Sequence, residues 1–281
     1  MKKQTWLVTG THTGFGKNLA TLLAQKPNVN LVATARKPAT QLNYLDQYDH
    51  GQIKKAQLDV TKHDQVVKTV QLAQQAFGGV DVLVNNAGLG YFSTFEESDW
   101  REAHYLFDVN VWGLADVTRN VLPMMRKQKS GTIVNFSSIC GLTGFLALSY
   151  YDATKHAVEG LTKTIAREVK PLGIKCMLIE PSGFRTDWGG RSSEKTVTKL
   201  ADYRPVEQTI QHMQQYGSTQ TPGDPMKAAK IIYDQVTNHW STLPLHLPLG
   251  RAATDEAASE LKRDLAEIKR VRKTSISADD R

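Results

Sequence analysis

The chain has 281 residues, of which 40% are hydrophobic and 22% are charged, and its formal net charge is +7. These values are ordinary for a soluble globular protein, and the length fits one domain with a large core. No apolar run approaches the roughly 18 residues that a membrane span needs. Two cysteines do not make a disulfide framework, and no separate cleavable segment precedes the first apolar run, so we expect a cytoplasmic protein.

The excess positive charge is partly in the tail, at Lys269, Arg270, Arg272 and Lys273. Such a run usually forms a solvated helix end, where cations suit the helix dipole. No zinc-ligand spacing and no RNA-reading motif accompanies it. We therefore expect no nucleic-acid partner, no membrane partner and no metal, although an interaction role for the basic tail is a testable alternative.

The first predicted strand, Trp6 to Thr9, ends in the turn Thr9-Gly-Thr-His-Thr-Gly-Phe-Gly16, and a helical leucine pattern follows. Strand, glycine-rich turn and helix in this order are typical of a dinucleotide phosphate site. Gly10 permits the tight turn, Gly14 lets the backbone approach phosphate, and Gly16 lets helix and strand pack closely. His12, Thr13 and Phe15 belong to the same predicted cofactor turn, in which His12 is read as a loop residue and not as a catalyst.

The second predicted strand, residues 29–35, is followed by Arg36 and Lys37. A cofactor with a free ribose 2′-hydroxyl usually meets an acidic residue here. Two cations and no acid favour a 2′-phosphate, and so NADP, with NAD as the other possibility. A solvated pair of loop residues is the alternative interpretation.

Four further strands are predicted at residues 53–58, 80–84, 132–136 and 175–179, with helices at 62–77, 98–128 and 149–171. The alternation predicts an α/β fold: a doubly wound, Rossmann-like parallel sheet of about seven strands with helices on both faces. Ligands then bind beyond the carboxyl ends of the strands. Asn110 lies inside the long helix, where a short polar side chain needs a bonding partner.

Residues 184–224 are polar and weakly periodic, which favours a mobile substrate lid after a strand's carboxyl end. A helix at 226–238 follows, then an edge strand from Leu243 to Leu247, where Pro244 and Pro248 exclude a central position. An amphipathic helix at 254–272 is expected on the outside of the sheet. The prediction is one domain over 1–281, with the lid at about 184–224 and a helical extension at about 250–281.

Tyr151 and Lys155 are four residues apart on a predicted helix, so their side chains leave the same face. An ammonium within roughly 4–6 Å is expected to lower the pKa of the phenol. Tyr151 is then able to protonate a carbonyl oxygen or deprotonate an alcohol. Ser138 is placed to bond the same oxygen. The alternative for the pair taken alone is a solvated Tyr–Lys pair on a helix surface.

Over roughly residues 4–248 the chain resembles the short-chain dehydrogenase/reductase family, in its shorter, non-extended branch. The resemblance rests on six motifs in order: Gly10-x-x-x-Gly14-x-Gly16, Asn85-Asn-Ala-Gly88, Asn110, Ser138, Tyr151-x-x-x-Lys155 and Pro181-x-Gly183. Thr13 departs from many NADP-using relatives, which carry Lys or Arg there, and this leaves Arg36 as the main determinant of cofactor choice.

The resemblance implies a role for each matched residue. Tyr151 is the general acid/base, Lys155 lowers its pKa and holds the nicotinamide ribose, Ser138 positions the substrate oxygen, and Asn110 anchors a proton-relay water. The cofactor residues implied in the same way are Asp59 and Val60 at adenine, Asn86, Ala87 and Gly88 on the adenosine side, Pro181 and Gly183 along the nicotinamide, and Thr186 at its carboxamide.

The prediction is an NADP-dependent carbonyl reductase or alcohol dehydrogenase, acting on a small-molecule carbonyl or alcohol. An apolar pocket is expected from Leu89, Tyr91, Leu142, Phe145, Leu146 and Trp188, and it favours a hydrophobic substrate. By family analogy the chain forms a homodimer or homotetramer through the helices holding Asn110 and Tyr151. A non-catalytic NADP sensor is the alternative function.

Overall fold

The computed structural model describes residues 3–190, 192–216 and 221–279. Seven strands form one parallel sheet in the spatial order β3-β2-β1-β4-β6-β7-β9, and two short strands, β5 and β8, pair separately. Their bounds are β1 Gln4–Val8, β2 Val29–Ala35, β3 Ile53–Gln57, β4 Val82–Asn85, β5 Gly90–Phe92, β6 Gly131–Phe136, β7 Ile174–Pro181, β8 Ser193–Lys195 and β9 His246–Leu249. The predicted doubly wound parallel sheet is confirmed.

Helices cover both faces of this sheet, as the sequence predicted. Their bounds are α1 Gly14–Ala24, α2 Pro38–Gln41, α3 His63–Phe77, α4 Trp100–Phe107, α5 Leu114–Gln128, α6 Ser149–Val169, α7 Arg204–Tyr216, α8 Pro225–Asn238 and α9 Arg251–Ile276. Successive strand residues point to opposite faces. Trp6 packs with α1 and α8, while its neighbour Leu7 packs with α3 and α5.

The order of strands reverses between β1 and β4, because β2 and β3 lie on one side of β1 and the later strands lie on the other. A crevice opens at such a switch point, beyond the carboxyl ends of the strands. The glycine turn after β1 and Asn86 after β4 both lie there. The fold therefore brings the two predicted cofactor motifs together.

The helix predicted over 98–128 is interrupted in the structure. After α4 the chain makes one π-helical segment, Asp108–Gly113, before α5 begins. Asn110 lies in this segment and is 1% exposed. Its amide donates to the Leu89 carbonyl at 2.9 Å and to Thr154 Oγ1 at 3.1 Å, and its oxygen accepts from the Leu89 amide at 2.8 Å. Such local π segments are frequent at functional sites.

Two regions differ in detail from the prediction. The edge strand is β9, which begins three residues after the predicted start. Among the described strands it pairs only with β7. Pro248 is tolerated there because no strand on the outer side needs a hydrogen bond from its backbone nitrogen. Within the predicted lid, β8 pairs in parallel with β5, and α7 follows. Three-residue strands are too short to show a two-residue period, which is why β5 and β8 were not predicted.

The last helix, α9, packs on the body of the protein over its first two turns, where Ala253 and Ala257 are buried. Further along, the exposed fractions of Leu261, Leu265 and Ile268 are 60%, 50% and 63%. The expectation that this helix packs outside the sheet thus holds for its start and not for its remainder. None of the described helices combines the length and the apolar character that crossing a bilayer requires.

Candidate active site

A cleft of about 440 Å³ runs along the carboxyl ends of the central strands. Twelve of the predicted cofactor residues line it: Gly10, His12, Thr13, Gly14, Phe15, Arg36, Asp59, Val60, Asn86, Ala87, Gly88 and Thr186. These residues come from five separate stretches of the chain. The structure therefore assembles most of the predicted cofactor site from motifs that are distant in sequence.

The glycine turn needs residues without side chains for two reasons. Gly10 and Gly14 have φ values of +69° and +56°, in the left-handed region that glycine favours. A Cβ on Gly10 would lie 2.9 Å from Ala87 Cα, and one on Gly16 would collide with the Gly10 carbonyl and the Asn86 amide. The Asn86 amide donates to the carbonyls of Thr9 and Gly10, at 2.9 Å each, and holds the turn against β4.

The first turn of α1 suits an anionic ligand. Thr13 at its N-cap makes no side-chain cap hydrogen bond, and the first turn contains no acidic residue. The leading amides of a helix have no partner within the helix, so they are available to a phosphate oxygen. Together with the glycine cradle, this fits the pyrophosphate of a nicotinamide dinucleotide.

The two cations after β2 are placed differently. Arg36 is exposed and lines the cleft, close along the chain to Gln41, which also lines it. Lys37 is exposed but is absent from the lining; its backbone amide donates to the Gln41 side chain at 2.9 Å. Of these two cations, Arg36 is therefore the one that borders the cleft.

Tyr151 and Lys155 leave the same face of α6, as predicted, and both are 6% exposed. Lys155 Nζ lies 5.5 Å from the centroid of the Tyr151 ring. It donates to the carbonyl of Phe136, the last residue of β6, at 2.9 Å. The end of a central strand thus fixes the position of the ammonium beneath the ring.

The pKa of Tyr151 was expected to be lowered, and this expectation is wrong in the structure. Burial raises the pKa of Tyr151, the neighbouring Cys140 adds to the rise, and the Ser138 hydroxyl partly opposes it. Burial lowers the pKa of Lys155 to about 8. Burial is the largest cause of both pKa shifts, since both groups lie in the interior. Tyr151 is therefore protonated near neutral pH, which is the form that donates a proton.

Ser138 follows β6 and is 7% exposed. Its Oγ accepts from the Cys140 amide at 3.2 Å and caps a short 3-10 turn, Ile139–Gly141. Cys140 and Cys176 are both free and buried, as expected of core residues. Burial raises the pKa of the Cys140 thiol, which makes it a poor nucleophile.

The segment after β7 closes the site. Pro181 is the last residue of β7, and Gly183 packs beside Thr221, so neither lines the cleft, whereas Thr186 lies opposite Gly14. The Trp188 ring lies 5.0 Å from the Tyr151 ring and 5.2 Å from the Phe92 ring. Trp188, which belongs to the segment predicted as a lid, therefore packs against the phenol ring.

The predicted apolar pocket is largely assembled around Tyr151. Tyr91 is buried in the same cluster, and Leu89, Leu142, Phe145 and Trp188 pack against it. Leu146 is 63% exposed and does not belong to this cluster. Further residues line the cleft that the sequence did not indicate, namely Gln41, Leu58, Tyr105, Val109, Asp187 and Ser192. They carry no motif, since only the packing of the elements brings them to the cleft.

A family model described as short chain dehydrogenase matches residues 4–196. The uncharacterized oxidoreductase YusZ of Bacillus subtilis is 35% identical over 259 residues, which cover 89% of this chain and 90% of that protein. The 3-ketodihydrosphingosine reductase of Bacteroides thetaiotaomicron is 34% identical over 200 residues, which cover 71% of this chain and 70% of that protein.

Solved structures show the same similarity. A short-chain dehydrogenase from Streptomyces avermitilis superposes with a TM-score of 0.89 at 35% identity, covering 98% of this chain and all of its own. ElxO with NADP bound superposes with a TM-score of 0.71 at 28% identity, covering 89% of this chain and 97% of its own. A tyrosine-to-phenylalanine variant of ElxO was also solved with NADPH bound.

Replacing Gly16 with alanine tests the cradle. We expect Gly16→Ala to weaken NADPH binding by more than about tenfold, because overpacking a close contact costs roughly 1–3 kcal/mol and shifts the turn. Gly160→Ala is the matched control, since a Cβ there meets open space on a helix. NADPH fluorescence titration measures both. Equal NADPH affinities in the two variants would contradict the claim that the glycine turn must lack a side chain at Gly16 to hold the cofactor.

Proposed function

Because the chain belongs to the short-chain dehydrogenase/reductase family of oxidoreductases, we propose that it transfers a hydride between NADP and a carbonyl or secondary alcohol. The observation that carries this proposal is the buried group of Ser138, Tyr151 and Lys155 beside the cleft that the glycine turn and Arg36 line. A sensor that only binds the nucleotide has no need of an acid/base pair.

In the proposed reaction NADPH supplies the hydride to the carbonyl carbon. Tyr151 donates its proton to the carbonyl oxygen, and Ser138 donates a hydrogen bond to the same atom. Lys155 keeps a positive charge 5.5 Å from the phenol ring, which stabilises the phenolate as the proton leaves. Asn110 is proposed to hold a water that returns a proton through Lys155.

The direction proposed is reduction. The proposed use of NADP favours reduction, and the raised pKa of Tyr151 is compatible with it, because reduction consumes the protonated phenol. The cofactor preference proposed is NADP, supported by Arg36 in the cleft and by the NADP bound to ElxO. NAD remains the alternative cofactor, since a structural neighbour from Burkholderia phymatum was solved with NAD.

The substrate proposed is a hydrophobic ketone or aldehyde. Leu89, Leu142, Phe145 and Trp188 pack in the same apolar cluster as Tyr151. A relative named for reducing 3-ketodihydrosphingosine supports an apolar ketone. An apolar wall accepts such a substrate and leaves the carbonyl oxygen for Ser138 and Tyr151.

We also propose a homodimer or homotetramer that forms through α5 and α6, in the cytoplasm. Trp112, in the π-helical segment before α5, is 60% exposed, and an exposed tryptophan on this face supports an interface. The two free cysteines support a reducing compartment.

Tyr151→Phe tests the acid/base role. We expect a loss of about 10²–10⁴-fold in kcat, because proton transfer in the transition state is lost. NADPH affinity should stay unchanged, because the ring is retained. Tyr150→Phe is the matched control, as Tyr150 stacks on Phe95 instead. NADPH oxidation over a panel of ketones and aldehydes measures both, and full activity in Tyr151→Phe would refute the role.

Arg36→Asp tests the cofactor preference. A hydrogen bond to a charged group is worth about 1.5–3 kcal/mol, so the ratio of kcat/KM for NADPH to that for NADH should fall by about 10- to 100-fold. Lys37→Asp makes the same charge change outside the cleft and should alter the ratio much less. An Arg36→Asp variant with the wild-type ratio would show that another residue selects the cofactor.

A further inference from the structure

Two glutamates and a histidine meet on the outer side of β7, away from the cofactor cleft. Glu159 lies on α6, Glu180 near the end of β7, and His246 at the start of β9. His246 Nδ1 lies 2.5 Å from Glu180 Oε1 and 3.8 Å from Glu159 Oε2. One nitrogen or oxygen atom from each of the three residues falls within 4.8 Å of the others.

The carboxylates are buried and incompletely bonded. Glu180 is 0% exposed and Glu159 is 3% exposed. Glu159 Oε1 and Glu180 Oε2 have no hydrogen-bond partner among the described residues. A buried carboxylate without partners is costly, so the surroundings must offer it a cation or a proton.

A fourth polar group points to the same place. Ser137 is 3% exposed, and its hydroxyl is also without a hydrogen-bond partner in the described part of the chain. It lies beside Glu159, because a Cβ on Gly141 would contact both the Ser137 hydroxyl and Glu159 Cγ. Ser137 thus adds a buried hydroxyl beside one of the two carboxylates, that of Glu159.

Two groups that can carry positive charge face the two carboxylates, the His246 imidazole and the Lys163 ammonium. Lys163 Nζ lies 3.3 Å from Glu159 Oε2, but its side chain is 42% exposed and sits at the rim. The unpartnered carboxylate oxygens of Glu159 and Glu180 therefore leave room for a cation to complete their bonding.

We propose that Glu159, Glu180 and His246 bind one divalent transition-metal ion, with zinc as the best match and a water molecule as its fourth ligand. Zinc takes four ligands from imidazole nitrogen and carboxylate oxygen at about 2.0–2.2 Å, in a tetrahedral arrangement. An imidazole ligand disfavours magnesium and calcium, which prefer oxygen donors throughout. His246, whose side chain is 41% exposed, forms the entry side of the site.

The ion would join the edge strand to the catalytic helix. Glu180 directly precedes Pro181, and Glu159 lies one turn beyond Lys155 on α6. Binding therefore ties β9 to β7 and α6. Its role is structural, and it is independent of the proposed hydride transfer.

The test is a zinc titration of the full-length, tag-free, metal-stripped protein by isothermal titration calorimetry. We expect wild type to bind one more Zn²⁺ per chain than His246→Ala, with a Kd at least tenfold lower than any remaining site. Glu180→Gln, which keeps the side-chain shape, should lose the same site. His239→Ala is the matched control, because His239 faces a single exposed carboxylate, Asp234, at 3.3 Å.

Two further readouts separate binding from misfolding. Co²⁺ should give the visible absorption of a four-coordinate ion in wild type and in His239→Ala, but not in His246→Ala. Zn²⁺ should raise the Tm of wild type by several degrees and leave the Tm of His246→Ala unchanged. Equal zinc uptake in wild type and His246→Ala would overturn the proposal. A Glu180→Gln variant that is more stable than wild type without metal, and that binds zinc as wild type does, would also overturn the proposal. That result would show that Glu159 and Glu180 share a proton and do not bind a metal.

Discussion

The site depends on one positive charge that is held inside the protein. Lys155 is almost fully buried, and the hydrogen bond that positions its ammonium goes to the carbonyl of Phe136. That carbonyl belongs to β6, which is paired on one side with β4 and on the other with β7. The central sheet thus decides where the ammonium lies, and α6 decides that the Tyr151 ring lies above it. Burial makes the charge costly to keep, which is why the pKa of Lys155 falls to about 8.

The surrounding elements hold this arrangement from three directions. Asn110 bonds to Leu89 after β4 and to Thr154, the residue before Lys155, so the π-helical segment joins the cofactor side to the catalytic helix. A Cβ on Gly88 would lie 3.2 Å from the Asn110 oxygen and 3.8 Å from Lys155 Nζ, so the absence of a side chain there lets the groups approach. Trp188 packs against the phenol ring. Small changes at positions that touch no substrate are therefore felt at Tyr151.

Much of the fold and site followed from the sequence because the decisive signals are local. The glycine spacing, the four-residue separation of Tyr151 and Lys155, and the alternation of strands and helices each lie within a short window. The interruption of the long helix did not follow, since the π-helical segment arises from bonds between Asn110 and residues 21 and 44 positions away. The spacing of apolar residues indicates which face of a helix is buried, and it carries no information about hydrogen bonds to distant residues.

The pKa of Tyr151 could not be predicted from spacing either, because burial is the largest cause of its shift and spacing does not show how deeply a residue is buried. The cluster of Glu159, Glu180 and His246 was equally hidden, since its members are separated by 21 and 66 positions along the chain. Only the register of β7 with β9 and the packing of α6 bring them together. Long-range assembly of polar groups is thus the part of this molecule that sequence patterns left out.

The most direct measurement of the central claim is the pH dependence of kcat/KM for a reducible carbonyl at saturating NADPH. That quantity reports ionisations of the enzyme before the carbonyl binds. If the charge on Lys155 is required, activity is constant below its pKa and falls about tenfold per pH unit above it, with the break near pH 8. A profile that stays level from pH 6 to beyond about 10, which is the ordinary pKa of lysine and tyrosine side chains, would contradict the requirement for a charged Lys155 with a lowered pKa.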